Sequence, residues 1–530
     1  MSLSEFTRDQ QLDCVSQASG ARTSWDMLVI GGGATGVGIA LDAASRGYSV
    51  CLLEQADFGK GTSSRSTKLV HGGVRYLQQG NLALVREALS ERALLLKNAP
   101  HVVHDCPFII PCASRWQAFF YGTGLKLYDL LAGRDNLANS QCLSQANVLK
   151  QVPTLQRARC TLGILYHDGQ FDDTRLLINM AQTAQQHRAC LINYARVTDL
   201  LKTDAGQVTG VRWVDLESQR EHETRARVVI NATGPFCDAV RRMEQPAAAA
   251  MVAASQGIHL VLPKRFLPGK TAIIVPKTSD GRVVFFIPWL DHAVLGTTDT
   301  PIDHVSLDPH PQTQEIEFLI QTANAYLAEP IEHRDILSVF TGIRPLVVAG
   351  PNTSTAKLPR DHAISISAGG LMTITGGKWT TYRKMAEDCV DRAAKQAGLE
   401  PRACVTAHLR LSGAEDVDRS VASVHPYAAY GCQGHELEAI EQAEPGCAEL
   451  LDESLPIRAG QVIWAARREM ARTVEDVLAR RTRALFLNSR AAVRMAPRVA
   501  ALMARELGRD AAWQANQVDQ FCTTARQFIP

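Results

Sequence analysis

Three glycines, Gly31, Gly33 and Gly36 in the run Gly-Gly-Gly-Ala-Thr-Gly, have spacing that implies chemistry. The first suits a tight turn, the second lets backbone approach a pyrophosphate, and the third lets a helix pack closely on a strand. A helix starting there offers phosphate its free N–H groups and the positive end of its dipole. Glu54, at the end of the next apolar run, can accept hydrogen bonds from ribose hydroxyls. Two further small-residue turns, Asn231-Ala232-Thr233-Gly234 and Thr375-Gly376-Gly377, let backbone come close to a ligand. NAD needs only the first of these turns. A set spread along the chain suits one long ligand in a composite site, which points to FAD, with Ala232 and Gly234 along it and the flavin at Gly376 and Gly377. A Gly-rich turn with no ligand is the alternative, and the strand–turn–helix context argues against it.

The elements that must position these turns are legible from apolar runs. Residues 27–30 and 50–53 read as buried parallel strands, with a helix over 37–46 between them, a β-α-β unit. Residues 80–99 and 174–188 predict amphipathic helices. Residues 228–231 form a third buried strand ahead of the Ala-Thr-Gly-Pro breaker cluster. Residues 255–300 alternate short apolar runs with Pro and Gly, a strand-rich and mostly antiparallel region. A strand pair follows at 364–375, then a helix from about Thr380, and the pattern turns helical from about 405. The expected fold class is α/β: residues 1–25 a disordered tail, 26–400 an interleaved FAD-binding and substrate domain with substrate-side segments at about 80–190 and 255–345, and 401–530 a C-terminal α-helical domain. In the last of these Trp464, Met470, Val474, Val477 and Leu478 recur at near-helical spacing, flanked by Arg467, Arg468, Arg480 and Arg481. Such a stripe reads by default as core; packing over the substrate face and mediating a homodimer are the other readings.

The 530 residues are 46% hydrophobic and 21% charged, enough for a sizeable core in two to four domains. A net charge of +2 gives no reason to expect a nucleic-acid partner. No run approaches the roughly 18 apolar residues of a membrane-spanning helix, and the first residues lack the apolar core of a secretory signal. The expectation is a soluble or peripheral protein. Thirteen cysteines stand at irregular intervals with no C-x-x-C, so free thiols in a reducing compartment are expected and no metal site.

The motifs resemble those of the aerobic FAD-dependent glycerol-3-phosphate dehydrogenase family. The matching stretches are Thr62-Ser63-Ser64, Ser66-Thr67-Lys68-Leu69-Val70-His71-Gly72-Gly73-Val74-Arg75-Tyr76-Leu77, Ile287-Pro288-Trp289, Gly296-Thr297-Thr298-Asp299, Gly342-Ile343-Arg344-Pro345-Leu346 and Gly376-Gly377-Lys378-Trp379-Thr380-Thr381-Tyr382-Arg383. The resemblance spans about 25 to 490. It implies a D-amino-acid-oxidase-like FAD-binding fold with a mixed-sheet substrate domain and a C-terminal helical cap. It also implies oxidation of sn-glycerol 3-phosphate to dihydroxyacetone phosphate, with hydride passing to FAD and electrons to a membrane quinone. Ser63, Ser64 and Lys68 then join the cofactor site, and Thr381 the substrate site. Arg75 and Arg344 are the natural phosphate clamp, because guanidinium binds phosphate through two parallel hydrogen bonds; each alone would read as a salt-bridge partner. Tyr76 either bonds the phosphate or packs. His71 is the preferred proton acceptor, since imidazole titrates near neutrality, with orientation of flavin or substrate as its other role. His259 is a second candidate whose alternative is a satisfied strand histidine. Lys378 would hold substrate oxygen or stabilise negative charge on the reduced flavin. Trp379 departs from the leucine that family members often carry. Asp172, in a further matching segment, reads as a helix N-cap.

Residues 115–131 interleave Trp116, Phe119, Phe120, Tyr121 and several leucines with Arg115 and Lys126. This suits a bilayer interface, against the alternative of a core-facing helix, and the resemblance favours the membrane: a peripheral protein on its cytoplasmic side, with quinone docking there. Two other functions remain open at this point. One is a soluble flavin oxidase using oxygen on a related hydroxy or amino substrate. The other is a non-catalytic flavin-binding partner protein, against which the set His71, Arg75, Arg344 and Lys378 argues.

Overall fold

The computed structural model describes residues 6–21, 24–73, 77, 81–276, 278, 282–348, 362–415 and 427–530. Two sheets organise them. In the first, the predicted β-α-β unit forms Trp25–Ile30, the helix Ala34–Ser45 and Val50–Leu53. Trp25–Ile30 pairs in parallel with Val50–Leu53 on one side and with Glu221–Asn231 on the other. Met372–Gly376 continues the sheet in parallel beyond Glu221–Asn231, and Cys190–Ile192 beyond Val50–Leu53. Leu28, Val29, Leu52 and Ile230 are fully buried. That is what a parallel sheet covered on both faces demands, and why these strands read as unbroken apolar runs.

The second sheet is mixed. One end of it is the long antiparallel pair Val252–Pro263 and Ser338–Val347, in register from Val252 opposite Val347 to Val261 opposite Ser338. His292–Gly296, Val284–Trp289 and Ala272–Val275 follow, the last joined in parallel to Val103–Cys112. The helices expected at 80–99 and 174–188 are Leu82–Asn98 and Asp173–Gln186. Asp172 caps the latter by accepting from the Arg175 N–H at 3.2 Å. The strand pair near 364–375 is His362–Ile366 with Met372–Gly376.

The C-terminal region is helical apart from the hairpin Leu450–Asp452 with Leu455–Arg458. Its stripe of Trp464, Met470, Val474, Val477 and Leu478 is buried as core. The C-terminal helices share one apolar cluster with the second sheet, bringing Phe486, Met495 and Phe528 together with Phe108, Trp289 and Phe340. Arg480 and Arg481, expected on the flanks of this stripe, are themselves buried, against Asp57.

Residues 6–21 correct the expectation of a disordered tail over 1–25, of which residues 1–5 and 22–23 lie outside the described residues. Arg8–Ala21 is a helix. Its few apolar residues, Leu12, Cys14 and Val15, pack against the core of the first sheet but make no extended stripe, and polar and aromatic anchors add to them. Phe6 stacks on Phe58 at 6.3 Å. Arg8 donates to Asp215 at 2.5 Å, and the Gln11 amide oxygen accepts from the Leu191 N–H at 2.9 Å.

The aromatic stretch forms Arg115–Ala132, with Ala118, Leu125, Tyr128 and Ala132 buried on one face. The opposite face is apolar and open to solvent: Trp116 is 72% exposed, Leu130 76%, and Phe119, Phe120 and Leu127 lie with them along one helical stripe.

The N-terminal helix generates a direct test. Phe6→Ala is expected to cost about 3 kcal/mol by emptying a buried aromatic site. The urea midpoint of unfolding should fall with an unchanged slope; an unchanged midpoint would mean the helix is not docked.

Candidate active site

A cavity of about 290 Å³ opens where the parallel strands of the first sheet end. The three glycines do distinct work there. Gly31 has φ +109°, a left-handed conformation that costs other residues dearly, and a Cβ on it would meet the Ala232 carbonyl at 2.7 Å. Gly33 lines the cavity. Gly36 does not: a Cβ on it would lie 1.9 Å from the Gly31 carbonyl oxygen, so it closes helix against turn. The Ser63 hydroxyl accepts from the Ala34 N–H at 2.9 Å, at the start of the helix that points into the cavity. Glu54 accepts from the Gly32 and Ala56 N–H groups at 2.5 and 2.8 Å. Burial pushes its carboxyl above the ordinary range, although the two amide donors pull it back.

Ala232, Gly234, Gly376, Gly377 and Lys378 complete the wall. Among the described residues, and apart from its chain neighbours, no atom lies within 4 Å of where a Gly234 Cβ would be, so this turn opens onto space. Glu54, Ala195, Val197, Thr62, Pro345 and Trp379 line the cavity as well. Backbone N–H groups at a helix start, a carboxylate beyond the second strand and a glycine turn far along the chain fit FAD in an extended pose.

Two expected cofactor residues stand behind this wall. Ser64 is buried and its hydroxyl donates to the Gly61 carbonyl at 3.4 Å. Lys68 is fully buried, donating to Asp173 at 2.6 Å and to the Ser64 carbonyl at 2.7 Å. The rings of Trp289, Phe340 and Phe486 enclose its Nζ at 5.0–5.3 Å. Burial pulls its ammonium down to about 7, opposed by Asp173. Both residues support the cavity from outside its lining. Trp379, which departs from the family pattern, lines the cavity and donates from its indole to the Ser63 carbonyl at 2.9 Å.

The second sheet supplies a floor beside this cavity. His259 lies opposite both Gly296 and Phe340, and Gly296 opposite Phe285. Directly opposed residues share a face, as do residues two apart on one strand. His259, Phe285, Phe340 and Arg344 therefore project from the same side. Glycines clear the space. A Cβ at Gly296 would meet the His259 ring at 2.1 Å, and one at Gly257 would meet Arg344 at 2.3 Å. Arg344 thus lies flat over Gly257, donating to the Thr297 hydroxyl at 3.0 Å and to Asp299 at 3.3 Å. His259 shares a hydrogen bond with Thr67 at 2.9 Å and stacks on Phe340 at 4.6 Å. Burial, then the nearby Lys68 and Arg344 cations, hold it well below the usual histidine range, so it stays a neutral imidazole. The His71 N–H donates to the Thr380 hydroxyl at 3.1 Å, and its ring lies 6.5 Å from Phe285.

The structure thus brings His71, His259, Arg344 and Lys378 around the cavity and the floor. Thr381 is buried, its hydroxyl donating to the Lys378 carbonyl at 3.4 Å, so it braces the turn bearing Lys378. Arg75 and Tyr76 lie outside the described residues. Sequence reasoning gave no role to Gly257, Thr297 or Asp299. The only signal for Gly257 was its spacing of two from His259, and for Asp299 its place in the Gly-Thr-Thr-Asp run.

Comparison with known proteins agrees with this geometry. The FAD dependent oxidoreductase family matches residues 26–383, and the C-terminal domain of alpha-glycerophosphate oxidase matches residues 404–514. The mitochondrial glycerol-3-phosphate dehydrogenase of Homo sapiens is 40% identical over 99% of this chain and 75% of its own length. That of Arabidopsis thaliana is 39% identical over 97% of this chain and 87% of its own. The structure of the glycerol-3-phosphate dehydrogenase from Bacillus halodurans complexed with FAD is similar with a TM-score of 0.80 at 28% identity, covering 99% of each chain. With the D-amino-acid-oxidase-like fold, its helical C-terminal domain and a cavity built for FAD all in place, the chain belongs to the family of FAD-dependent glycerol-3-phosphate dehydrogenases.

Proposed function

We propose that this protein oxidises sn-glycerol 3-phosphate to dihydroxyacetone phosphate and passes the electrons to a membrane quinone. The observation that carries the reading is Arg344. Its guanidinium lies on a floor cleared by Gly257, on the same face as His259, and the next residue, Pro345, lines the FAD cavity. A fixed guanidinium gives a phosphate two charge-assisted bonds and so sets the direction of the glycerol chain. FAD, when bound, supplies the two-electron acceptor for the hydride leaving carbon 2. The proton on the carbon 2 hydroxyl needs a base. His259 is desolvated beside two cations, which makes protonating it costly, so His71 is the better acceptor. Lys378, in the glycine turn at the flavin end of the wall, places positive charge where negative charge develops.

The quinone and the membrane rest on the helix Arg115–Ala132. An apolar stripe that includes Trp116, Phe119 and Phe120, open to solvent along a whole helix, suits the headgroup boundary, where amphipathic rings are stable. Arg115 and Lys126 flank it. The protein would then sit peripherally on the cytoplasmic side of the membrane. Oxygen as acceptor is the competing reading, favoured by the match of residues 404–514 to a domain named for an oxidase.

Arg344→Ala is expected to raise KM for glycerol 3-phosphate at least about 100-fold, the worth of a charge-assisted clamp, with FAD content unchanged; unaltered saturation would remove the clamp. A base must be deprotonated to act, so activity falls as pH drops through its pKa. His259 is held well below the usual histidine range by burial, then by the Lys68 and Arg344 cations. His71→Asn should therefore abolish the acid limb of kcat/KM, whereas His259→Asn should leave its midpoint in place; the reverse pattern would exchange the two roles. Phe119→Glu with Phe120→Glu should release the protein from anionic vesicles and lower quinone reduction there at least tenfold, with reduction of a soluble dye unchanged. Stoichiometric peroxide in place of quinol would establish the oxidase.

A further inference from the structure

Residues 54–68 carry much of the cofactor side of the site. Glu54, Gln55, Lys60, Thr62 and Ser63 line the cavity, and Thr67 holds His259. Support for this segment on its far side comes from twelve consecutive residues of the C-terminal domain, 475–486. Asp57, fully buried and three positions after Glu54, accepts from Arg481 through two bonds of 2.8 and 2.9 Å and from Arg480 at 2.5 Å. Lys60 donates to Glu475 at 2.6 Å. The Ser64 carbonyl accepts from Arg483 at 2.9 Å, and the Phe486 ring lies 5.3 Å from the Lys68 ammonium. Residues Asp476–Arg481 are wound as a π-helix, a departure found mostly where function requires it.

These contacts are charges taken out of water, and they balance only when both sides are docked. Burial works against the Asp57 carboxylate, and the Arg481 and Arg480 guanidiniums outweigh it, holding it below its ordinary range. Glu475 is held low in the same way by Lys60 and Arg480. Parting the two segments would strip Asp57 of both guanidiniums, while Arg480 would keep Glu475 and Asp476 on its own segment; a buried carboxylate left unpaired is far costlier than one never placed there.

We infer that segment 475–486 is a positioning element for the cofactor loop, through which FAD binding and docking of the C-terminal domain strengthen one another. The inference rests on the FAD site described above. Arg480, Arg481 and Glu475 act through Asp57 and Lys60: they set where Glu54 and Ser63 stand, and so how well the loop closes on FAD. Coupling between binding equilibria is reciprocal, so FAD must in turn slow the opening of 475–486.

Hydrogen exchange on the full wild-type chain, with and without FAD, tests this without any substitution. The expected result is at least tenfold slower amide exchange across 475–486 on FAD binding. FAD bound tightly with exchange there unchanged would overturn the inference and leave the cofactor assignment standing. Protein that takes up no FAD would sink both. In Asp57→Asn, which keeps the shape and removes the charge, the FAD dissociation constant read by flavin fluorescence should rise at least tenfold. The added protection of 475–486 should vanish, and Asp57→Glu should restore part of each. Wild-type affinity and protection in a folded Asp57→Asn would equally overturn it.

Discussion

The parallel ladder of Trp25–Ile30 with Val50–Leu53 and Glu221–Asn231 is the constraint on which the rest of this molecule depends. Parallel strands all end at the same edge. The turns that follow them, at 31, 54 and 232, therefore arrive together although nearly 200 residues of chain separate them, and Met372–Gly376 brings Gly376 and Gly377 to the same edge. A ligand as long as FAD needs such a row of backbone turns more than it needs any one side chain. The crowding is tight enough that the Gly31 carbonyl occupies the place of a Gly36 Cβ.

The substrate side follows a different rule. It is a sheet face made shallow by Gly257 and Gly296, with Gly342 beside them on the same face, so that the long side chain of Arg344 and the ring of His259 lie along it. The electrostatics are then set by who is buried with whom. His259 shares its surroundings with Lys68 and Arg344 and stays neutral, whereas Lys68 is kept in place by Asp173 and three aromatic rings. The Lys68 and Arg344 cations beside this face, together with burial, deny the His259 imidazole a proton.

The C-terminal domain links these two sides. It shares an apolar core with the second sheet and a buried ionic network with the cofactor loop. Apolar contacts tolerate small shifts. Buried ion pairs do not, because each partner left behind carries its full desolvation cost. Stability and geometry are thus supplied by different contacts of one domain, and the outward apolar stripe of Arg115–Ala132, on another part of the chain, is left unneeded by either.

Local pattern was enough to read the β-α-β unit, its three glycines, Glu54, the late Gly-Gly turn and the N-cap at Asp172, because each depends on spacing within a strand, a turn or a first helical turn. The motifs also named His71, His259, Arg344 and Lys378. Only the tertiary structure decided which side of the cavity wall a residue faces. Ser64 and Lys68 share a segment with Ser63, yet they point into the protein, where Asp173 and Phe486 receive Lys68. The helix Arg8–Ala21 is faint in periodicity because few of its residues are apolar and it is docked by scattered ones, Phe6, Arg8, Gln11 and Val15, whose partners lie far along the chain. Arg480 and Arg481 read only as flanks of the apolar stripe for the same reason: a carboxylate more than 400 positions away, Asp57, turns them into core. Short-range spacing is written in sequence order, whereas burial of charge is a property of partners that only folding brings within reach.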